Sequence, residues 1–460
     1  MSNWAFDLTP QAVPAVATRW RTIATAIPAP ESIALFQTLD QCESVSMHGQ
    51  MPIVWDRAEG CQVFDPWGNV WIDFTSTIFV ANAGHGNPEI VAALRRCLDK
   101  PLLHTYSYAN AERITYLKEL TEAAPVNLDK AFLLSAGTEA TECALKLMRL
   151  KAAREGKRQP GIVCFEGNWH GRTLGAQMMS YNPAQKEWVG YHDPYIHHLP
   201  FPYPWRDIDD PAAYFEESFQ KLCDEKGLDP ARDICGFMLE TFQGWAAAFY
   251  PVAFVQAVRR MADTIGAALA FDEMQAGFGR TGTMFGFEHY GVEADLLCCG
   301  KGITSSLPLS AVIGRKEFMD LPEIGSMSST HSANPLACAA ALANLRHIRD
   351  NDLPGRAARL GAQLHARLEA MRGAFPHRIS HVLGKGMIAA LHCNTQGRPN
   401  AAFATRVCEK AMQKGLILVH TGRESIKIGP PLTIADDALS EGLDVLEEAI
   451  VETDAELPHG

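Results

Sequence analysis

Six short apolar runs, most of them separated by a helix-length stretch, constrain this chain more than any other feature. They are Ala131 to Leu134, Ile162 to Phe165, Phe237 to Leu239, Ala267 to Phe271, Leu296 to Cys299 and Ala311 to Ile313. Each is apolar on both faces and bounded by polar residues or Gly, as strands of a parallel sheet covered by helices on both sides must be. Between the first two, Glu139 to Arg154 sets Ala140, Cys143, Ala144 and Leu147 on one helical face and pairs Glu142 with Lys146 on another. The middle of the chain is therefore predicted to be an α/β domain.

The flanks differ. Val63 to Phe74 reads as a hairpin around Asp65-Pro66-Trp67-Gly68-Asn69. Near the other end, a long helix is expected from about Asn334 to Ala374, interrupted at Pro354-Gly355. Strand-like segments follow at Gly386 to His392 and Ile426 to Ile428, and a last helix is expected with Asp436 as its N-cap and Leu439, Leu443, Leu446 and Ile450 on one face. The expected organisation is a large α/β domain over residues 91–340 and a small α+β domain built from residues 1–90 and 341–460.

Composition narrows the function. Lys plus Arg number 41 against 53 for Asp plus Glu, a net charge of −12, and no basic run offers a footprint for phosphate backbones, so nucleic acid is excluded as the expected partner. The 12 cysteines contain no CxxC pair or His-flanked cluster, so no metal site is expected and a reducing, cytoplasmic setting is. Met1 to Thr9 lacks the pattern of a signal peptide, and no apolar stretch approaches the ~20 residues that span a bilayer, so no membrane partner is expected.

In a parallel α/β sheet, ligands bind beyond the carboxyl ends of the strands. Ser135-Ala136-Gly137-Thr138-Glu139 follows the first run and opens a helix; Glu240 follows the third, Asp272-Glu273-Met274-Gln275 the fourth, and Gly300-Lys301-Gly302 the fifth. A lysine between two glycines at a strand end is open to close approach, and burial would make its neutral amine available for a Schiff base. A strand-end aspartate suits a pyridinium nitrogen, and a helix N-terminus carrying Gly and a hydroxyl suits a phosphate. Together these describe pyridoxal phosphate (PLP).

The sequence resembles the class III aminotransferases of the fold type I PLP enzymes from Asp65 through Leu446. The most specific segment is Phe271 to Gly314, with its aspartate, Gln275, the Gly279-Arg280-Thr281-Gly282 turn and the lysine in register. Gly84 to Pro88, Ser135 to Glu142, Asn168 to Thr173 and Thr330 to Pro335 match as well. The resemblance implies a large domain with a mostly parallel seven-stranded sheet flanked by helices. It implies that the enzyme moves an amino group from a small primary amine or amino acid to a keto acid. It gives Lys301 and Asp272 the catalytic roles and places Asp272 on the pyridine nitrogen. Gly137 and Thr138 would hold the phosphate, Trp169 the ring face, Gln275 the 3-oxygen, and Thr330 the phosphate of the neighbouring subunit in a homodimer, or dimer of dimers, with shared active sites. Glu240 would join the cofactor site, and Tyr108, in a loop with His104 and Tyr106, would lie near substrate.

Several of these residues have plainer readings. Trp169 could be a core aromatic, Glu240 could only bond a loop, His170 and Arg172 could position a turn, and Cys298 and Cys299 could be packing. The chain also departs from the family pattern for carboxylate-bearing substrates, with Trp245 where a gateway glutamate is usual and Lys427 where an arginine precedes the Pro-Pro pair. Arg offers a planar fork and Lys a point charge, so Lys427 is expected to contact an anionic substrate tail. It is similar to the branch that eliminates from phosphorylated amines, which keeps open a PLP-dependent lyase acting on a phosphate- or phosphonate-bearing amine. Pairing of Lys427 with Glu424 is the plainer alternative, and a silent scaffold homologue is a third reading that Asp272 and Lys301 argue against.

Overall fold

The computed structural model describes residues 4–457, so both outermost ends of the expected small domain, residues 1–3 and 458–460, lie outside the described residues. The chain forms two compact units, one of residues 88–244 and 248–354, the other of residues 1–87, 245–247 and 355–460.

The first unit is built on a seven-stranded sheet. In chain order its strands are β1 (Lys130–Leu134), β2 (Gly161–Phe165), β3 (Ile196–Leu199), β4 (Ile234–Glu240), β5 (Ala268–Asp272), β6 (Leu296–Cys299) and β7 (Ser310–Gly314), arranged β1-β7-β6-β5-β4-β2-β3. Pairings among β2 to β6 are parallel, while β7 runs antiparallel to both neighbours. The central strands are buried on both faces, which is why they read as unbroken apolar runs. β3 was not legible, because His197 and His198 interrupt its apolar pattern.

Helix α1 (Gly137–Arg154) follows β1 and buries Ala140, Cys143, Ala144, Leu147 and Met148. Small residues let it pack closely on the sheet. A short helix α2 (Leu174–Met179) follows β2. Helices Pro211–Lys226 and Val252–Ile265 pack together over Phe215, Phe219, Phe237 and Phe254, whose rings meet at 5.4–6.0 Å. Burying each such ring contributes roughly 1.5–3 kcal/mol.

In the second unit the expected hairpin pairs Gln62–Phe64 with Val70–Asp73. Asp65 Oδ1 closes its turn by accepting from Trp67 N at 2.9 Å and Asn69 N at 2.8 Å. Leu416–Ile417 adds in parallel to Val70–Asp73 and so ties the two chain ends into one sheet. The C-terminal sheet contains Ile388–Thr395 and Ser425–Ile428 together with Ile379–Lys385, a strand the sequence pattern did not reveal. Two expectations are corrected. The long helix breaks at Asn351-Asp352, and Pro354 stands in the first turn of the second helix, Leu353–Ala374, where a missing N–H costs nothing. The final helix, Asp436–Glu456, has Ala435 at its N-cap, and Asp436 Oδ2 accepts from Arg359 at 2.9 Å instead.

Among the described residues no helix is long and apolar enough to cross a membrane.

Candidate active site

The carboxyl edge of the first unit's sheet gathers Glu240, Asp272 and Lys301 from three adjacent strands. Parallel register sets Glu240 opposite Asp272 at the ends of β4 and β5. Asp272 is buried, and each of its oxygens accepts one hydrogen bond. Oδ1 takes Met274 N at 3.0 Å, and Oδ2 takes His170 Nδ1 at 3.0 Å. The second contact is a donation from His170 in the tautomer that carries its hydrogen on Nδ1. The other ring nitrogen, His170 Nε2, is buried with no hydrogen-bond partner among the described residues.

Glu240 Oε2 accepts from Trp169 N at 2.9 Å and Gly244 N at 3.2 Å. Burial, with help from the Asp272 charge, pushes its carboxyl up to about 8 despite those two donors. Gly244 is required here: a Cβ would lie 2.5 Å from Gln275 Nε2 and 2.8 Å from Glu240 Oε1. The next carboxylate, Glu273, accepts from Gly286 N and Phe287 N at 2.8 Å each and from the Thr241 hydroxyl. Burial pushes it up to about 7, and it fastens the loop after β5 to the strand edge.

Lys301 is the second residue beyond β6, directly after Gly300, with a left-handed φ of +45° that few non-Gly residues adopt. Burial lowers its ammonium pKa, while the charges of Asp272 and Glu240 pull it back up. Gly300 and Gly137 both face Met274: a Cβ at Gly300 would lie 2.4 Å from its Sδ, and one at Gly137 2.9 Å. The first turn of α1 and the lysine turn therefore close on the same thioether.

At that first turn, Glu139 Oε2 accepts from Ser135 N at 2.8 Å and Ala136 N at 3.1 Å. Glu139 N and Ala140 N donate back to Ala136 O at 3.1 and 3.3 Å, so Gly137 and Thr138 carry the two N–H groups of this opening turn that have no carbonyl one turn earlier to meet. Thr138 Oγ1 lies 2.5 Å from Thr173 Oγ1. Trp169 is partly exposed, with the Arg172 guanidinium 4.3 Å from its ring centroid. His170 and Arg172, read as turn-positioning residues, thus touch Asp272 and Trp169 respectively.

Thr330 and Tyr108 both lie in the same unit, and Thr330 meets His104 from the loop that carries Tyr108. The Thr330 carbonyl lies 2.8 Å from His104 Nε2, Asn334 Nδ2 donates to Leu103 O at 2.6 Å, and Tyr108 is exposed. Lys427 and Trp245 belong to the second unit. Ser76 to Phe79 run through left-handed backbone, φ 47° to 68°, and Ser76 Oγ donates to Gly429 O at 2.7 Å. This turn carries the Phe79 ring to 4.9 Å from Lys427 Nζ, which is buried. Glu424 instead pairs with Arg423 at 3.3 Å, and Arg423 covers the Trp245 ring at 3.6 Å.

A buried amine with a lowered pKa, a buried carboxylate and the N–H groups of Gly137 and Thr138 at a helix start are complementary to the aldehyde, ring nitrogen and phosphate of PLP. Gly137, which has no room for a Cβ on the Met274 side, belongs to a turn packed to this shape. The residues present fit that group. Sequence reasoning passed over Met274 and Thr173 and read Glu142 only as a partner of Lys146, whose Nζ donates instead to Ser326 O at 3.0 Å: a methionine reads as core filling, and Glu142 and Thr173 are far apart in the chain.

Comparison with known proteins agrees with this geometry. The profile of the "Aminotransferase class-III" family matches residues 44–450. The chain is 34% identical over 412 residues to a 2-aminoadipate transaminase of Pseudomonas putida, covering 87% of this chain and 96% of that protein. It is 31% identical over 450 residues to a 4-aminobutyrate aminotransferase of Mycobacterium leprae, covering 94% and 98%. Among solved structures, a PLP-bound amine transaminase from an uncultivated Pseudomonas species superposes with a TM-score of 0.79 at 28% identity, covering 87% of this chain and 94% of that one.

Proposed function

The chain belongs to the class III aminotransferases and is a PLP-dependent enzyme, and from that premise we propose the parts its residues play. The observation that carries the assignment is Lys301, an amine whose pKa burial lowers, beside the buried carboxylates Asp272 and Glu240. When bound, the cofactor supplies an electron sink for the carbanion left by deprotonation at the amine-bearing carbon.

Lys301 Nζ holds the cofactor covalently and moves the proton at that substrate carbon; a neutral amine serves both tasks. Asp272, oriented by His170, keeps the pyridine nitrogen protonated. Gly137 and Thr138 take the phosphate at the start of α1, Trp169 covers the ring, and Gln275 meets the 3-oxygen. Glu240 holds the backbone of Trp169 in place. Thr330 serves the neighbouring subunit's phosphate in a homodimer.

Tyr108 and Trp245 border the substrate, and Lys427 takes its anionic end. Both named relatives act on amines that carry carboxylates, which supports an amine with an anionic tail and a keto acid as amino acceptor. The twelve free cysteines support a reducing, cytoplasmic setting. Elimination from a phosphorylated amine gains no support from these relatives.

The test is a panel of carboxylate-, phosphate- and phosphonate-tailed amines, assayed with and without keto acids. Keto-acid-dependent loss of amine matched by formation of the new amino acid is the expected result. Ammonia or phosphate release that needs no keto acid would overturn it.

A further inference from the structure

Helix α1 carries a second glutamate in its first two turns, and its carboxylate is gathered into a relay that ends at Thr138. Glu142 Oε1 accepts from Thr173 Oγ1 at 2.7 Å, from Gly175 N at 2.7 Å and from Ala176 N at 3.2 Å. Thr173 Oγ1 in turn lies 2.5 Å from Thr138 Oγ1. Two hydroxyl hydrogens are shared among these three oxygens. The charged acceptor is the strongest of them, so Glu142 draws the hydrogen of Thr173. Thr173 must then accept from Thr138, because otherwise lone pairs would face each other at 2.5 Å. The relay has one direction, and it holds the Thr138 side chain in one rotamer.

No ion pair involves Glu142 among the described residues, and its two cationic neighbours are engaged elsewhere. Lys146 Nζ donates to Ser326 O at 3.0 Å, and Arg149 pairs with Asp193 at 2.9 Å. Close packing holds the relay on its other side, since a Cβ at Gly171 would lie 2.4 Å from Thr138 Oγ1.

We propose that Glu142 is a positioning residue of the phosphate cradle: acting through Thr173, whose hydroxyl accepts the one hydrogen of Thr138 Oγ1 and whose N–H donates back to that oxygen at 3.3 Å, it fixes the opening turn of α1 so that the backbone N–H groups of Gly137 and Thr138 grip the phosphate of PLP. This rests on the reading of Gly137 and Thr138 as the phosphate site.

The experiment compares two ligands on the full-length chain stripped of cofactor, PLP and its dephosphorylated form pyridoxal, titrated by absorbance. Glu142→Ala and Thr173→Val should each weaken PLP about tenfold or more while leaving pyridoxal within about twofold, because a hydrogen bond to a charged group is what they lose. Glu142→Gln, which keeps an acceptor oxygen, should recover part of the loss. Equal weakening of both ligands would mean a merely structural role, and no weakening of either would mean no role; both results overturn the proposal, and Thr173→Val decides if Glu142→Ala fails to fold. Thr138→Pro, which removes a backbone N–H in a first helical turn that tolerates proline, is the control on the underlying reading. If it changes the PLP-to-pyridoxal ratio while Glu142→Ala and Thr173→Val do not, the relay fails alone. If it too leaves the ratio unchanged, the phosphate site lies elsewhere.

Discussion

Lys301 and Asp272 are two titratable groups that one sheet edge holds in opposite conditions. Burial disfavours the lysine's charge, while each oxygen of the aspartate takes part in one hydrogen bond. Lys301→Ala removes the covalent hold and the proton carrier together, so turnover should fall by about 10³-fold or more while the chain stays folded. Steady-state kinetics beside circular dichroism checks this; near wild-type turnover would contradict it. Asp272→Asn keeps the shape and removes the charge that holds the ring nitrogen protonated. A loss of at least about tenfold, ~1.4 kcal/mol of barrier, is expected in single-turnover measurements, with cofactor still bound. His170 adds a residue that spacing alone did not mark. Its contact with Asp272 joins the loop that follows β2 to the end of β5, a strand that is not a neighbour of β2 in the sheet, which no local pattern reports.

At the scale of elements, parallel register brings Glu240 level with Asp272, and this has a consequence for stability. A carboxyl whose folded pKa is about 8, against an ordinary 4.5, holds its proton more tightly in the folded chain. Its contribution is therefore fully present below pH 4.5 and is lost as the pH rises to about 8. In the cofactor-free chain, the melting temperature of wild type relative to Glu240→Gln should fall across that window. Parallel melting curves across pH would contradict it. The turns at Gly137 and Gly300 share Met274, so Gly300→Ala forces that side chain to move and should cost about 1–3 kcal/mol, read as a shift of the urea midpoint. In a Met274→Ala background the cost should shrink, because the obstructing sulfur is gone.

These same elements show what a linear pattern can convey. β2 and β4 to β7 were readable because strands buried on both faces leave unbroken apolar runs, and the residues that end them named the chemistry. β3 escaped because its two histidines break the run. Ile379–Lys385 escaped because only Ile379 in it is fully buried, the rest being partly or more exposed. Lys301, Asp272, Gly137 and Thr138 announce themselves by type and position. Met274 and the Glu142–Thr173 contact do not, since their meaning lies in what folding brings beside them.

For the whole molecule, the cysteines give a global check on burial. All twelve are free thiols, and only Cys42 is exposed. Titration with a thiol reagent should modify one group quickly in the native chain and all twelve in denaturant. Several fast native thiols would mean that the packed interiors of the two units are not as described. The proposed function depends on a more particular property of the folded chain, that one lysine among many would be the cofactor's attachment point. The direct measurement is borohydride reduction of the cofactor-loaded enzyme, proteolysis and mass analysis of the labelled peptide. The phosphopyridoxyl mass should sit on Lys301 alone. Label on another lysine, or on none, would contradict the assignment on which the site rests.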